Sequence, residues 1–336
     1  MKTETCFDPA TQSRAQAIGF LQTSSATMAL LYDQIERVAQ TLATVLISGE
    51  SGVGKEVVAK LIHARSARSD EVFIPVNCGA IPAGLIEAEL FGHEKGSFTG
   101  AMQQHIGYFE HASGGTLFLD EFTEMPPDMQ IKLLRVLETG KFTRVGGSEA
   151  IQVDVRVIAA TNRDPLEAVK QQVLREDLLY RLAVFPMQVP PLRERVCDIE
   201  PLARYFLEQF NAIEKADKTF SGAALTTMRS YTWPGNIREL KNAIHRAFIM
   251  ADQIIELPNP NLNARSKQAS RASGQVNIWI GTPLADAQRE IILATLDHFN
   301  GDKQRTAEAL GVSLKTLYNR LLAYQESANP AAPHGR

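Results

Sequence analysis

One stretch restricts this chain more than any other: GESGVGKE at residues 49–56, entered from the apolar run 44–48 and followed by a helix-like run at 57–62. A strand that breaks into glycines and re-forms as a helix lets backbone N–H groups curl around phosphate oxygens, and the helix N-terminus adds positive dipole. Gly49, Gly52 and Gly54 supply the turn, Glu50, Ser51 and Val53 stand between them, and Lys55 brings a charge to the terminal phosphates. The last position of such a loop is ordinarily Ser or Thr, whose hydroxyl ligates magnesium; here it is Glu56, a carboxylate able to hold the metal directly or through water. Alone, the loop predicts a nucleotide site in an α/β fold. The alternative is a glycine-rich turn with no ligand.

A chain of 336 residues with 44% apolar and 22% charged side chains has room for about two or three domains and a sizeable core. Its net charge of -3 supplies no global basic field, so any DNA contact must come from a local motif. Cys6, Cys78 and Cys197 lie far apart without CxxC pairing, which argues against a disulfide framework or zinc knuckle and suits a reducing compartment. No run approaches the roughly 20 apolar residues of a spanning helix, and Lys2, Thr3, Glu4 and Thr5 are unlike a signal peptide. A cytoplasmic location with no membrane partner is expected.

Residues 1–20 are unpatterned, and the spacing of Met28, Leu31, Ile35, Val38 and Leu42 predicts a helix ahead of the first buried strand. Residues 72–78 form a second strand candidate ending in Asn77, which either orients a catalytic group or caps a turn. GSFTGA at 96–101 holds an aromatic and a threonine between glycines, which is not a core pattern. Residues 114–121 form an apolar strand that delivers two adjacent carboxylates. Beside a phosphate loop, Asp120 holds magnesium and Glu121 polarises the attacking water; otherwise they are two exposed acids opening a helix. A helix at 129–137 and a strand at 153–160 follow, the latter ending in Thr161 and Asn162, which either sense a γ-phosphate or make a turn.

Arg175 and Arg181 stand six apart, nearly two helical turns, and are either surface charges or fingers reaching a neighbour's nucleotide. Pro186, Pro190 and Pro191 end the α/β pattern, and helical periodicity from about 198 to 255 predicts a smaller all-helical domain. Within it WPGNIREL at 233–240 is a turn into a helix, where Arg238 points at the nucleotide or sits in a surface ion pair. The polar, Pro-, Asn- and Ser-containing stretch 258–275 reads as a flexible linker. Helices are then expected at 284–299, 303–310 and 314–324, with Ser313 as the N-cap of the third.

Two short helices joined by a glycine turn fit a helix-turn-helix whose third helix turns Lys315, Thr316, Asn319 and Arg320 toward DNA. Between 283 and 325 five basic residues (Arg289, Lys303, Arg305, Lys315, Arg320) meet five acidic ones, so net charge lends no support and a three-helix protein-interaction module stays open.

The order GESGVGKE, ELFGHEKGSFTGA, GGTLFLDE, ATNRD, REDLLYRL, PPLRER and WPGNIREL resembles the central domain of sigma-54-dependent transcriptional activators, bacterial enhancer-binding proteins of the AAA+ class. The match runs from about residue 21 to about 250, and residues 301–324 resemble the family's Fis-type helix-turn-helix. The resemblance implies a tail at 1–20, an α/β ATPase core with a parallel sheet at 21–190 and a helical lid at 191–257. It further implies a linker at 258–282, a DNA-binding domain at 283–325 and a tail at 326–336.

By the same resemblance residues 49–56 bind ATP, and Glu56 is the family's own form of the loop. Asp120 and Glu121 match the magnesium and water-activating carboxylates, and Asn77 a residue that switches the catalytic glutamate. Thr161 and Asn162 match the first sensor, Arg175 and Arg181 the trans-acting arginines of a ring that is usually hexameric, and Arg238 the second sensor. Gly96, Ser97, Phe98, Thr99, Gly100 and Ala101 match the GAFTGA loop that contacts sigma-54, with Ser97 in place of alanine; Arg305, Ser313, Lys315, Thr316, Asn319 and Arg320 fall in the DNA-binding helices.

The function so implied is ATP- and magnesium-dependent activation of sigma-54 RNA polymerase from enhancer DNA. With only residues 1–20 ahead of the motor, a short form without its own regulatory domain is expected, controlled by a separate inhibitory protein or by abundance. One rival is a DNA-binding regulator that uses the fold only for ligand-controlled oligomerisation. Another is a AAA+ remodeller unrelated to transcription, which needs neither GSFTGA nor the C-terminal helices.

Overall fold

A computed structural model describes residues 25–98, 100–257, 284–299 and 301–328, and divides the chain into two compact units, Met1–Leu257 and Pro258–Arg336. The first unit is built on a helix-strand alternation: α1 (Ala26–Ala39), β1 (Val45–Ser48), α2 (Lys55–Ala64), β2 (Phe73–Asn77), α3 (Ile86–Phe91), α4 (Tyr108–His111), β3 (Thr116–Asp120) and α5 (Pro127–Thr139). A two-residue pair, β4 (Lys141–Phe142) and β5 (Ile151–Gln152), precedes β6 (Arg156–Thr161), α6 (Pro165–Lys170), α7 (Glu176–Leu182) and β7 (Phe185–Gln188). Five strands form one parallel sheet in the order β2-β3-β6-β1-β7.

Strand side chains alternate between faces, and both faces of this sheet are buried. Val45, Ile47, Phe118, Ile158 and Ala160 pack with Met28, Leu31, Ile35 and Val38 of α1 and Val58 and Ile62 of α2. Leu46, Leu117, Leu119, Val157 and Ala159 pack on the opposite side against α3 to α7 through residues such as Phe91, Phe109, Leu133 and Leu178. Each such large side chain removed from water contributes about 1.5–3 kcal/mol, so the layers are fixed mainly by burial. The register brings Ser48 beside Thr161 and Gln188, and Asn77 beside Asp120, so polar residues gather at the carboxyl ends of the strands.

Local expectations shift in two places. Leu42, expected on the first helical stripe, lies outside α1 and is 63% exposed. The helix stops at Ala39 because the buried Arg156 guanidinium donates to the carbonyls of Ala39 (3.1 Å) and Val38 (2.7 Å). Burial pushes the pKa of Arg156 down to about 10. The strand expected from 153 begins at Arg156: Val153 N donates to Gly140 O and Asp154 O accepts from Gly114 N, which takes those residues out of the ladder.

The lid follows in the same unit. It consists of α8 (Ile199–Glu214), β8 (Thr219–Phe220), α9 (Gly222–Ser230), α10 (Asn236–Met250) and β9 (Ile254–Ile255). Its core joins Leu192, Ile199, Phe206, Met228, Trp233 and Leu240. The two-residue parallel pair β8–β9 is the departure from an all-helical expectation.

The second unit holds α11 (Leu284–His298), α12 (Lys303–Ala309) and α13 (Leu314–Ala328) around Ile292, Ala307 and Leu317. Asp302 caps α12 by accepting from Gln304 N and Arg305 N, and Ser313 Oγ accepts from Thr316 N at 3.1 Å. The stretch read as a linker and the tail at 1–20 lie outside the described residues; of the tail expected at 326–336, residues 326–328 continue α13 and the rest lie outside the described residues. Among the described residues no helix is long and apolar enough to cross a membrane.

Candidate functional site

The loop at 49–56 leaves the carboxyl end of β1, between β6 and β7, where Gly49 N donates to Thr161 O at 3.2 Å. Lys55 opens α2, is 8% exposed, and curls its Nζ onto the carbonyls of Gly49 (2.8 Å) and Glu50 (3.1 Å). Burial lowers its pKa, and the charges of Asp120 and Glu121 pull it back up. Asp120 ends β3 and its carboxylate accepts from Glu121 N at 3.0 Å; burial raises its pKa, with Lys55 acting against the rise. A lysine and a carboxylate desolvated toward each other make a site prepared for charged ligands.

Glu121 has φ 52, a left-handed conformation that a non-glycine residue adopts only when its surroundings hold it there. A Cβ on Gly79 would lie 2.7 Å from Glu121 Oε2 and 3.4 Å from Asn77 Oδ1, so the carboxylate and the Asn77 amide flank the same glycine. Asn77 Oδ1 also accepts from Ala80 N at 3.1 Å. The turn cap and the neighbour of Glu121 are therefore one residue. Thr161 is buried, shares a hydrogen bond with Thr123 Oγ1 at 3.1 Å and accepts from Arg163 N, whereas Asn162 is exposed.

Glu56 pairs with Lys60 at 2.7 Å, yet its charge is felt at Asp120, where it raises the pKa. The oxygen-only character of these carboxylates and the desolvation of Asp120, which a cation would offset, fit magnesium. Among the described residues no group of three or more His, Cys, Asp or Glu is set to hold a metal, and none is needed where phosphates complete the shell.

Among the described residues neither Arg175 nor Arg181 is bonded to this cluster. Arg175 precedes α7 in an extended conformation, so it caps the helix instead of riding on it, and it pairs with Asp177 at 2.6 Å. Arg181 donates to Leu137 O at 2.6 Å, and its own carbonyl accepts from Thr44 Oγ1, next to the amino end of β1 and at the opposite edge of the sheet from the loop. Arg238 does approach: its guanidinium donates to Ser51 Oγ at 2.9 Å, beside a cleft lined by Ser51, Gly235, Arg238, Glu239, Asn242 and Arg246.

Residues 96–98 and 100–101 belong to a loop whose neck is two backbones in contact. A Cβ on Gly107 would lie 2.3 Å from Gly92 N, so only glycine fits. His93 and His105 exchange backbone hydrogen bonds, and Glu94 N donates to Val145 O across to the β4–β5 connection. Arg144 clamps the base, donating to Glu94 at 2.9 Å and to Glu110 at 2.6 Å, and these two carboxylates hold its pKa above the usual guanidinium value. At the tip Gly96 N donates to Ala101 O at 2.8 Å, Ser97 packs under Gly146, and Phe98 is 39% exposed with its ring edge against His93. Gly100 takes φ 118, and Thr99 lies outside the described residues.

In the second unit Lys315, Thr316 and Asn319 are exposed along α13. Arg305 stacks over Phe299 at 5.2 Å and Arg320 donates to Gln288 at 3.1 Å. Sequence reasoning missed Arg193, Arg195 and Asn236, which join the lid to residues 50–53, and Arg144 with Glu110. PPLRER and WPGNIREL carried the first three in plain view, and an asparagine after Pro-Gly at a helix start is a candidate for positive φ.

Comparison with known proteins covers both units. The family model of the sigma-54 interaction domain matches residues 21–188, that of the AAA+ ATPase lid domain residues 193–275, and that of the Fis family of bacterial regulatory proteins residues 283–324. The transcriptional regulatory protein FlbD of Caulobacter vibrioides is 41% identical over 312 residues, covering 89% of this chain and 69% of FlbD. The nitrogen fixation protein AnfA of Azotobacter vinelandii is 46% identical, covering 90% of this chain and 56% of AnfA. Transcriptional regulatory protein ZraR of Klebsiella oxytoca is 45% identical, covering 93% and 70%. Among solved structures NtrX from Brucella abortus aligns at a TM-score of 0.68 with 33% identity, over 93% of this chain and 71% of that one. NtrX structures in complex with ADP and with ATP each align at 0.66. Hsp104, at 17% identity and a TM-score of 0.51, shares the fold alone.

Proposed function

Since this chain belongs to the sigma-54-dependent transcriptional regulators of the AAA+ class, we propose that it is an ATPase that opens sigma-54 promoter complexes from DNA sites bound by its C-terminal helices. ATP lies against residues 49–56, as the ATP and ADP complexes of NtrX support, with Lys55 and Arg238 on the phosphates. Asp120, with Glu56 beside it, would hold magnesium, which when bound neutralises charge on the β- and γ-oxygens. Glu121 polarises the attacking water, and Asn77, which with it flanks Gly79, switches that carboxylate in response to nucleotide state. Thr161 and Asn162 sense the γ-phosphate.

What most supports a ring is that two arginines are bonded elsewhere than to their own loop. Arg181 is bonded to Leu137 and Thr44 and Arg175 to Asp177, and neither is bonded to the loop of its own chain. In a homo-oligomer, a hexamer by family habit, both reach a neighbour's γ-phosphate and stabilise charge as it is transferred. Nucleotide state is then passed to residues 96–101, where Phe98 and Thr99 meet sigma-54 within the polymerase holoenzyme. Lys315, Thr316, Asn319 and Arg320, with Arg305 and Ser313 flanking them, hold the enhancer DNA.

Mixing subunits tests the shared site. Lys55→Ala and Arg181→Ala proteins should each be inactive in ATP hydrolysis. Their mixture should regain activity, because an intact loop then meets an intact arginine at some interfaces. Absence of recovery at every ratio would contradict the trans assignment.

A further inference from the structure

Four successive residues of the phosphate loop are held from behind by the lid segment. The Glu50 carboxylate accepts from both guanidinium nitrogens of Arg193 (2.8 and 2.7 Å) and from Asn236 Nδ2 (3.1 Å). Ser51 O accepts from the same Asn236 Nδ2 at 3.1 Å, Gly52 O from the backbone of Ile237 (3.0 Å) and Arg238 (3.3 Å), and Val53 O from Arg195 at 2.9 Å. In a trans peptide the carbonyl and the following N–H point in opposite directions. Fixing the carbonyls of 51, 52 and 53 on the lid therefore turns the N–H groups of Gly52, Val53 and Gly54 the other way. Among the described residues those three N–H groups find no backbone acceptor, as donors kept for phosphate require.

Asn236 is the centre of this arrangement. Its side chain is fully buried and bonded at both ends, Oδ1 accepting from Leu192 N at 2.8 Å while Nδ2 serves Glu50 and Ser51. An amide supplies a donor and an acceptor at once, which an isosteric carboxylate or alkyl group does not. The backbone is strained to present it. Asn236 has φ 53 and Trp233, three residues earlier, φ 48, both left-handed and held by Trp233 Nε1 donating to Met228 O and Asn236 N donating to Trp233 O. Gly52 allows the contact: a Cβ there would fall 2.5 Å from Gly235 O.

We infer that Asn236, together with the Glu50–Arg193 pair, is a positioning residue for the nucleotide: the lid shapes the phosphate cradle through the backbone of residues 51–53, separately from Arg238's approach to the ligand. This rests on residues 49–56 being the ATP site. Lid orientation and phosphate affinity are then one variable, since a lid that swings takes three loop carbonyls with it.

The test is a set of full-length variants read by calorimetric ATP and ADP binding with magnesium, by steady-state hydrolysis, and by the Tm without nucleotide. Asn236→Asp exchanges the donor for a second carboxylate against Glu50. It should raise the Kd and the KM for ATP about tenfold, equivalent to ~1.4 kcal/mol, while kcat at saturating ATP is largely kept. Glu50→Ala and Arg193→Ala should each weaken ATP binding, and the double variant should be no worse than the weaker-binding single, the signature of a coupled pair. The Glu50–Arg193 cycle carries the test should Asn236→Asp fail to fold. The inference is overturned by folded variants that bind ATP as the wild type does, by losses confined to Tm, or by additive losses in the double variant. Wild-type protein that does not bind ATP would instead sink the reading of the site itself.

Discussion

Asp120 has been taken partly out of water, and burial holds its pKa above 3.8 although Lys55 opposes the rise. A carboxyl whose folded pKa lies above its unfolded value adds stability fully only below the unfolded value, and that contribution is lost as pH rises through the folded one. At pH 7 the ionised form therefore weighs against the fold. Asp120→Asn is expected to raise the Tm of the nucleotide-free protein at pH 7, by a margin that narrows as pH is lowered toward the acid range, and to abolish magnesium-dependent hydrolysis. Thermal unfolding across pH and an ATPase assay check the two halves; an unchanged or lower Tm at pH 7 contradicts the assigned desolvation. Sequence made Lys55, Asp120 and Glu121 legible, because a charged residue at the end of an apolar run carries its own signal. Asn236 was legible only as a turn residue open to positive φ: its burial and its bonds to Glu50 and Ser51 arise only when the lid meets the loop.

At the scale of elements, the apolar burial of β1, β3 and β6 was written in runs such as VLIS and TLFLD, so the central strands were legible. Their limits were not. Arg156 opens a strand whose hydropathy pattern continues further back, because Val153 N and Asp154 O are claimed by Gly140 and Gly114, contacts far from them in sequence or in another element. The same holds for the loop between Gly92 and Gly107, where GSFTGA was conspicuous but the Gly92–Gly107 neck and the Arg144 clamp depend on the β4–β5 connection. Because this neck stands apart from Lys55 and Asp120 in the hydrogen-bond network, the proposed hydrolysis and the proposed contact with sigma-54 are expected to be separable. Phe98→Ala is expected to leave ATP turnover largely intact and to lose activation of a sigma-54 promoter. Comparable losses of both activities would contradict the separation.

At the scale of the whole molecule, the chain spans between 56% and 70% of FlbD, AnfA and ZraR, and carries in order the motor, lid and helix-turn-helix that their family models describe. Fold and family were legible because many motifs fall in one order; the proposed sharing of the site between subunits was open only as an alternative, since two arginines in REDLLYRL fit a surface pair as well as a finger. The hydrogen bond of Arg181 to Leu137 O, remote from the loop, favours the finger. Hydrolysis at residues 49–56 is proposed to be converted into promoter opening. The most direct measurement is permanganate footprinting of a sigma-54 promoter with upstream binding sites, using sigma-54 holoenzyme, this protein and ATP. Wild-type protein should melt the start site only with hydrolysable ATP, and Glu121→Gln, expected to bind ATP without turning it over, should leave the duplex closed. Melting by Glu121→Gln, or full ATP turnover by the wild type without any melting, would contradict the account.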